Sequence, residues 1–202
     1  MRHLDRPILK LTDISKSFSG VKALKNISVE IYPGTIYCLA GENGCGKSTL
    51  IKIISGVYSA DTGSIELDGR QVKRMSPKEA MQSGIEIIYQ DFSIFPNLTV
   101  AENITVNTAI TENKKIVNWK EVKKQASVAL ARIGVDIPLD MIVESLPVAS
   151  RQLIAISRAI AHNARILIMD EPTTALTKNE VNALFEVIRG LNKTGISVIF
   201  VS

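Results

Sequence analysis

Residues 41–49 read "GENGCGKST", with glycines at 41, 44 and 46, a lysine at 47 and hydroxyls at 48 and 49. The stretch follows "TIYCLA" (35–40), an apolar run that reads as a buried strand. It precedes Leu50, Ile53, Ile54 and Val57, which recur at helical spacing, with Gly56 as a stop. A glycine-rich turn between a strand and a helix brings backbone N–H groups around a phosphate, because side chains at Gly41, Gly44 and Gly46 would obstruct the approach. Lys47 adds a mobile positive charge, Ser48 a ligand for Mg²⁺, and the helix N-terminus favours the anion. Glu42, Asn43, Cys45 and Thr49 complete the loop's candidate nucleotide-binding set. Such a cradle alone does not choose among kinases, GTPases, helicases and transport motors.

Outward from the loop, strands alternate with helices. "ILKLTDI" (8–14) and "ISVEIY" (27–32) read as strands, and "GSIELDG" (63–69) alternates before an Asp-Gly turn, as a hairpin arm does. "IEIIYQ" (85–90), "RILIMD" (165–170) and "ISVIFV" (196–201) are short and almost wholly apolar, the pattern of a parallel sheet covered on both faces. Between the first two lies a helical texture. Asn118 and Glu121 have capping-box spacing, Val122, Ala126, Ala129 and Ile133 form an apolar stripe, and Gly134 suits a helix end. Residues about 93–150 therefore read as a helical insertion in an α/β core. In "ILIMDEPTTALT" (166–177), Asp170 stands at the carboxyl end of a strand, where ligands sit in open α/β sheets. That makes it a Mg²⁺ partner for Ser48, with Glu171 as the general base toward water.

Composition sets the frame. A chain of 202 residues, 46% hydrophobic and 22% charged, is long enough for one domain with a subdomain. Its 24 basic and 20 acidic residues give a net charge of +4 without long runs, so charge gives no support to nucleic-acid binding. Cys38 and Cys45 form no metal or disulfide pattern, the first lies in the expected buried strand, and a reducing compartment follows. No run approaches the ~20 apolar residues of a membrane span, and "MRHLDRPILK" lacks the apolar core of a signal peptide. The expectation is a cytosolic chain that docks on a membrane protein. Cys45 has two open readings, a thiol whose pKa the helix N-terminus lowers, or a small residue at a tolerant position.

"GENGCGKST", "YQD" and "ILIMDEPT", with the helical insertion between the last two, resemble the ATP-binding cassette of ABC transporters over almost the whole chain. The resemblance implies one ATP-binding domain spanning 1–202: a P-loop NTPase cassette with a parallel sheet core, a small antiparallel β subdomain and an inserted helical subdomain. It implies ATP and Mg²⁺ as ligands. Phe18, in "KSFSGVKAL", would stack on adenine, and Gln90 matches the glutamine that senses Mg²⁺ and water and leads into the surface touching the membrane subunit. Ser48, Gln90 and Asp170 would hold the metal, while Glu171, Gln90 and Lys47 would serve catalysis. "KSFSGVKAL", "MSPKEAMQSGIEIIYQDFSIFPNLTVAENI" and "DEPTTALTKNEVNALFEVIRGLNKTGISVIFVS" are similar to the first cassette of bacterial monosaccharide importers, in which two cassettes are fused. Thr177 stands where many other cassettes carry Asp. The implied partners are a second cassette, fused or homodimeric, transmembrane permease subunits and, indirectly, a periplasmic or extracellular solute-binding protein, with no nucleic acid. The implied place is the inner face of the cell membrane.

Two departures from the family pattern carry expectations of their own. Where such cassettes bear "LSGGQ", whose serine and glycines reach the opposite cassette's ATP, this chain reads "LPVASRQ" (146–152). Pro147 removes a hydroxyl and a backbone N–H, and Val148 and Ala149 add bulk. The following "QLIAISRAI" keeps the look of a helix, so the element is expected to fold while serving its partner's ATP poorly. The chain also ends at Ser202, one position before the family's switch histidine, which reads as a truncation; His3 and His162 are surface residues rather than substitutes. The alternatives are a nucleotide-binding fragment with little or no ATPase activity, and a non-transport ABC ATPase, which should show a basic stripe or an inserted arm.

Overall fold

The computed structural model describes residues 6–72, 74–89, 94–111 and 117–202. In chain order its strands are β1 (Leu9–Phe18), β2 (Val21–Ile31), β3 (Ile36–Leu39), β4 (Thr62–Leu67), β5 (Arg70–Val72), β6 (Ile85–Ile88), β7 (Ile166–Asp170) and β8 (Ser197–Val201). The helices are α1 (Lys47–Ile54), α2 (Pro77–Gln82), α3 (Val100–Thr111), α4 (Trp119–Arg132), α5 (Val148–Ala161) and α6 (Lys178–Lys193). The chain divides into two compact units, one holding residues to Glu86 with 165–168 and 192–202, the other 87–164 and 169–191. It is an α/β fold with one parallel and one antiparallel sheet.

In the first unit an antiparallel sheet has the order β2-β1-β4-β5. Ser19 and Gly20 both take positive φ (46° and 86°), the backbone of a primed two-residue turn whose twist suits a β-ribbon. Phe18 consequently faces Val21 across the turn. The ribbon runs through 15–26, beyond the two short strands expected there. Asp68 and Gly69, also at positive φ, close the β4–β5 hairpin that the Asp-Gly pair predicts. Asp68 is further held by Arg165, whose guanidinium donates two hydrogen bonds of 2.6 Å to its carboxylate.

The second sheet has the order β3-β8-β7-β6, with β3 parallel to β8 from Ile36 opposite Val198 to Leu39 opposite Val201. Leu167, Ile168, Met169 and Val198 are fully buried, as the near-continuous apolar runs of β7 and β8 require. β3 differs from expectation. Ile36 is 46% exposed and Cys38 is exposed, so "TIYCLA" is not a buried strand. Ile36, Cys38 and Ala40 are exposed while Tyr37 and Leu39 between them are half-buried, so one face of β3 is open to solvent. Val57 is a second correction: Gly56 turns the chain at φ 76°, so Val57 lies beyond the α1 stripe and is 49% exposed.

The second unit is mainly helical. Val100, Ile104, Ala126, Ala129, Leu130, Val143 and Ile154 from α3, α4, α5 and a 3₁₀ turn at Val143–Ser145 share one core. Asn118 caps α4 by accepting from the N–H groups of Lys120 (3.1 Å) and Glu121 (3.4 Å). The Glu121 carboxylate instead accepts from Gln125, so the expected capping box is half formed. Complete reciprocal pairs occur at Thr99 with Glu102 and at Thr177 with Glu180, opening α3 and α6. Thr177 is therefore a helix cap, a post that Asp also fills.

Candidate functional site

The loop between β3 and α1 has the shape that phosphate binding needs. Its start is tied to β8, since Gly41 donates to the Ser202 carbonyl (3.3 Å) and Ser202 to that of Leu39 (3.2 Å). Gly46 is the N-cap of α1 at φ 102°, and a Cβ there would stand 2.4 Å from the Ala23 carbonyl oxygen and 2.7 Å from Leu24 Cδ2. Only glycine lets the loop lie this close to β2. Gly44 has φ 84° with none of the described residues within 4 Å of its Cβ position, so its need is conformational. A Cβ on Gly41 would meet Cys45 Sγ at 2.7 Å. Cys45 is exposed, and its N–H donates to the Glu42 carbonyl at 3.2 Å.

Among the described residues no side chain caps α1, so its first N–H groups are offered to the loop. The Lys47 ammonium folds back onto the carbonyls of Gly41 and Glu42. Phosphate oxygens would compete with those carbonyls for the same charge. Ser48, next on the helix, is exposed. Phe18, at the tip of the β1–β2 ribbon, is 40% exposed. Tyr58 meets its ring at a centroid distance of 5.2 Å and an interplanar angle of 61°, and Lys16 Nζ lies over it at 5.5 Å. Lys16 is held by Asp61 at 2.6 Å. That ion pair and the Ser17 N–H hold the Asp61 carboxyl below its ordinary pKa. Sequence reading passed over Tyr58, Asp61 and Lys16; "GVYSADTG" marked only a helix end.

In the second unit, Asp170 is the last residue of β7, half-buried. Glu171 follows at φ 47°, a left-handed conformation seldom held by a non-glycine residue. The Thr174 hydroxyl donates to the Glu171 carbonyl (3.2 Å) and carboxylate (3.4 Å) and so fixes both. Such strain at an acid after a buried strand is a feature of functional positions.

A family model described as ABC transporter matches residues 24–174, more than half of the chain. The chain belongs to the ABC transporter family. Its ABC relatives include the ribose import ATP-binding protein RbsA of Clostridium perfringens (strain SM101 / Type A), 47% identical over 197 residues that cover 97% of this chain and 39% of the relative. The protein of the same name from Caldanaerobacter subterraneus subsp. tengcongensis is 42% identical over 196 residues, covering 97% of this chain and 40% of its own. This chain thus spans about 40% of the length of these curated relatives. Among solved structures, cbiO1 from Clostridium perfringens, part of the ABC transporter complex cbiONQ, superposes with a TM-score of 0.84 at 27% identity. That match covers 98% of this chain and 78% of cbiO1. A dimeric ATP-binding cassette bound to ADP and phosphate has a TM-score of 0.81 at 26% identity, covering 96% of this chain and 87% of that one.

The stretch "LPVASRQ" (146–152) opens a helix, as expected. Pro147 is the N-cap of α5 and Val148, 37% exposed, opens it. Arg151 fastens the turn by donating to the carbonyls of Leu146 (2.9 Å) and Glu144 (2.6 Å). Gln152 is buried, and neither of its amide atoms has a hydrogen-bond partner among the described residues. Gln90 lies outside the described residues.

Proposed function

We propose that this chain is the ATP-binding and ATP-hydrolysing cassette of an importer for a sugar or sugar-like solute. The observation that carries the reading is the β3–α1 loop, where left-handed Gly44 and Gly46 and the close approach to Ala23 make a cradle that any Cβ at 46 would fill. Its amides and Lys47 bind the β- and γ-phosphates, Glu42, Asn43, Cys45 and Thr49 border them, and Phe18 stacks on adenine. The Ser48 hydroxyl and the Asp170 carboxylate are hard oxygen donors that suit Mg²⁺. When bound, Mg²⁺ neutralises charge on the phosphates. Gln90 would sense Mg²⁺, and Glu171, held by Thr174, takes the proton of the attacking water.

The names of the relatives support the solute class, and the dimeric structural neighbour supports a second cassette as partner. Transmembrane permease subunits complete the importer at the inner face of the membrane, with a solute-binding protein delivering cargo. Among the described residues no helix is long and apolar enough to cross a membrane.

A second reading, ATP held with little turnover, is favoured by Pro147 and Val148 at the start of α5, where a hydroxyl and bare backbone would serve a partner's nucleotide. One experiment separates the two readings: MgATP binding and steady-state hydrolysis over a range of protein concentrations, with Lys47→Ala as the blank. Hydrolysis that rises faster than linearly with protein and vanishes in the blank supports the ATPase. Binding without turnover supports the second reading, and failure to bind MgATP refutes both.

A further inference from the structure

We propose that Tyr58 is a positioning residue for base recognition: it holds the Phe18 ring in the orientation that receives adenine, and it ties that ring to the helix whose start binds phosphate. The inference rests on the reading of Phe18 as the adenine platform and goes beyond it by assigning a residue that need not touch the nucleotide.

Phe18 sits one residue from a two-residue turn, 40% exposed. An exposed aromatic at a hairpin tip has several open rotamers, and a base that stacks on it must first select one. Two neighbours make that selection before any base arrives. Tyr58 meets the ring in a tilted edge arrangement, 5.2 Å between centroids, of the kind that aromatic pairs prefer. Lys16 lies over the ring from the same strand, itself anchored by Asp61, which also accepts the Ser17 N–H at 2.8 Å.

Tyr58 is fixed in turn by α1. The chain leaves that helix through Ser55 and left-handed Gly56, and the Tyr58 N–H then donates to the Lys52 carbonyl at 2.9 Å. Lys52 Nζ rests 5.4 Å over the Tyr58 ring. One helix therefore presents Lys47 and Ser48 at its first turn and carries the brace of the base platform at its last. An eight-residue helix is a rigid spacer of about 12 Å, so the separation of the phosphate and base contacts is set by structure that is already folded. Base affinity gains because less ordering remains to be done on binding. The contact is made by the ring, so phenylalanine at 58 retains the function and an aliphatic residue loses it.

The test compares the unaltered chain with Tyr58→Leu, Tyr58→Phe and Phe18→Leu, titrating MgATP and, separately, magnesium tripolyphosphate, which has phosphates and no base. Tyr58→Leu should weaken MgATP binding by about two- to tenfold, the range of one aromatic pair, while tripolyphosphate binding is unchanged and Tyr58→Phe restores the loss. The inference is overturned if Tyr58→Leu binds MgATP normally, or loses both ligands alike, while Phe18→Leu loses MgATP alone. If Phe18→Leu also fails to separate the ligands, it is the platform reading that fails, and the inference falls with it. Tyr58→Met gives the same readout should the leucine variant not fold.

Discussion

Gly46→Ala is the substitution whose cost can be worked most directly from the structure. At φ 102° an alanine pays for left-handed backbone, about 1–2 kcal/mol. Its Cβ would also stand 2.4 Å from the Ala23 carbonyl oxygen, and that oxygen belongs to β2, clamped by the ladder that pairs Lys16 with Leu24. Neither side can yield cheaply, and overpacking of this kind adds about 1–3 kcal/mol. The control is Gly44→Ala, at φ 84° with none of the described residues within 4 Å, where only the conformational part applies. Urea unfolding should therefore place Gly46→Ala below Gly44→Ala by about 1–3 kcal/mol, or very roughly 2–12 °C in melting temperature. Whatever shift relieves the overlap moves the N–H groups at the start of α1, so MgATP affinity should fall at least about tenfold further than in the control. If the two variants unfold together within about 0.5 kcal/mol, the steric reasoning is wrong. If Gly46→Ala also binds MgATP normally, the loop is not the phosphate site.

Asn103 is fully buried, accepts from the Phe95 N–H and donates to the carbonyls of Phe95, Leu98 and Thr99; Asn103→Ala should cost about 2–4 kcal/mol in urea unfolding, and a cost under about 1 kcal/mol would show that water replaces those bonds. Gln152→Met removes a buried amide with no partner among the described residues and should leave stability equal or raise it by about 1 kcal/mol; a marked loss would mean that the amide is satisfied by bound water. The Arg165 guanidinium holds the Asp68 carboxyl below its ordinary pKa, so the pair's contribution is present above the unfolded value of about 4 and disappears as pH falls through the lower folded value. Both side chains are 48% exposed, so Asp68→Asn should cost no more than about 1 kcal/mol at neutral pH, and the gap between variant and parent should close in acid; a gap that persists unchanged there would refute the assignment.

The β3–α1 loop was legible because the phosphate chemistry proposed for it fixes residue types at fixed positions, and a strand and helix had to flank it. The ribbon through 15–26 was not, because Lys16, Lys22 and Lys25 with Ser15, Ser17 and Asn26 break the alternation that marks a half-buried strand. Its ladder is held by backbone pairing and by the Ser19–Gly20 turn, which a closer reading of "FSGV" would have found. The exposure of β3 had no signal at all: an apolar run does not say whether its strand is covered, and Ile36 and Cys38 look like core residues. Thr99, Ser76 and Thr177, each followed three residues on by glutamate, were readable caps. The bracing of Phe18 by Tyr58 joins positions 40 residues apart, beyond the reach of any local pattern.

The start of α5 shows why a segment can keep its fold whatever residues open it. A proline at the N-cap forfeits only an N–H that the helix itself does not use, and the turn is closed instead by Arg151 on the carbonyls of Leu146 and Glu144. Further on, Ile154, Ala155, Ile156, Ala159 and Ile160 are buried and hold the helix whatever its first turn contains. The atoms that stabilise α5 are thus different from those that would face a partner's nucleotide, where Pro147 offers no hydroxyl or amide and Val148 offers bulk. Pro147→Ser with Val148→Gly should consequently shift unfolding by no more than about 1 kcal/mol, the helix propensity lost at glycine, yet raise MgATP turnover of the paired cassettes severalfold. Unchanged turnover with unchanged stability would mean that this segment already serves its partner as it stands. A large loss of stability would mean that the first turn of α5 carries more of the fold than its hydrogen bonds indicate.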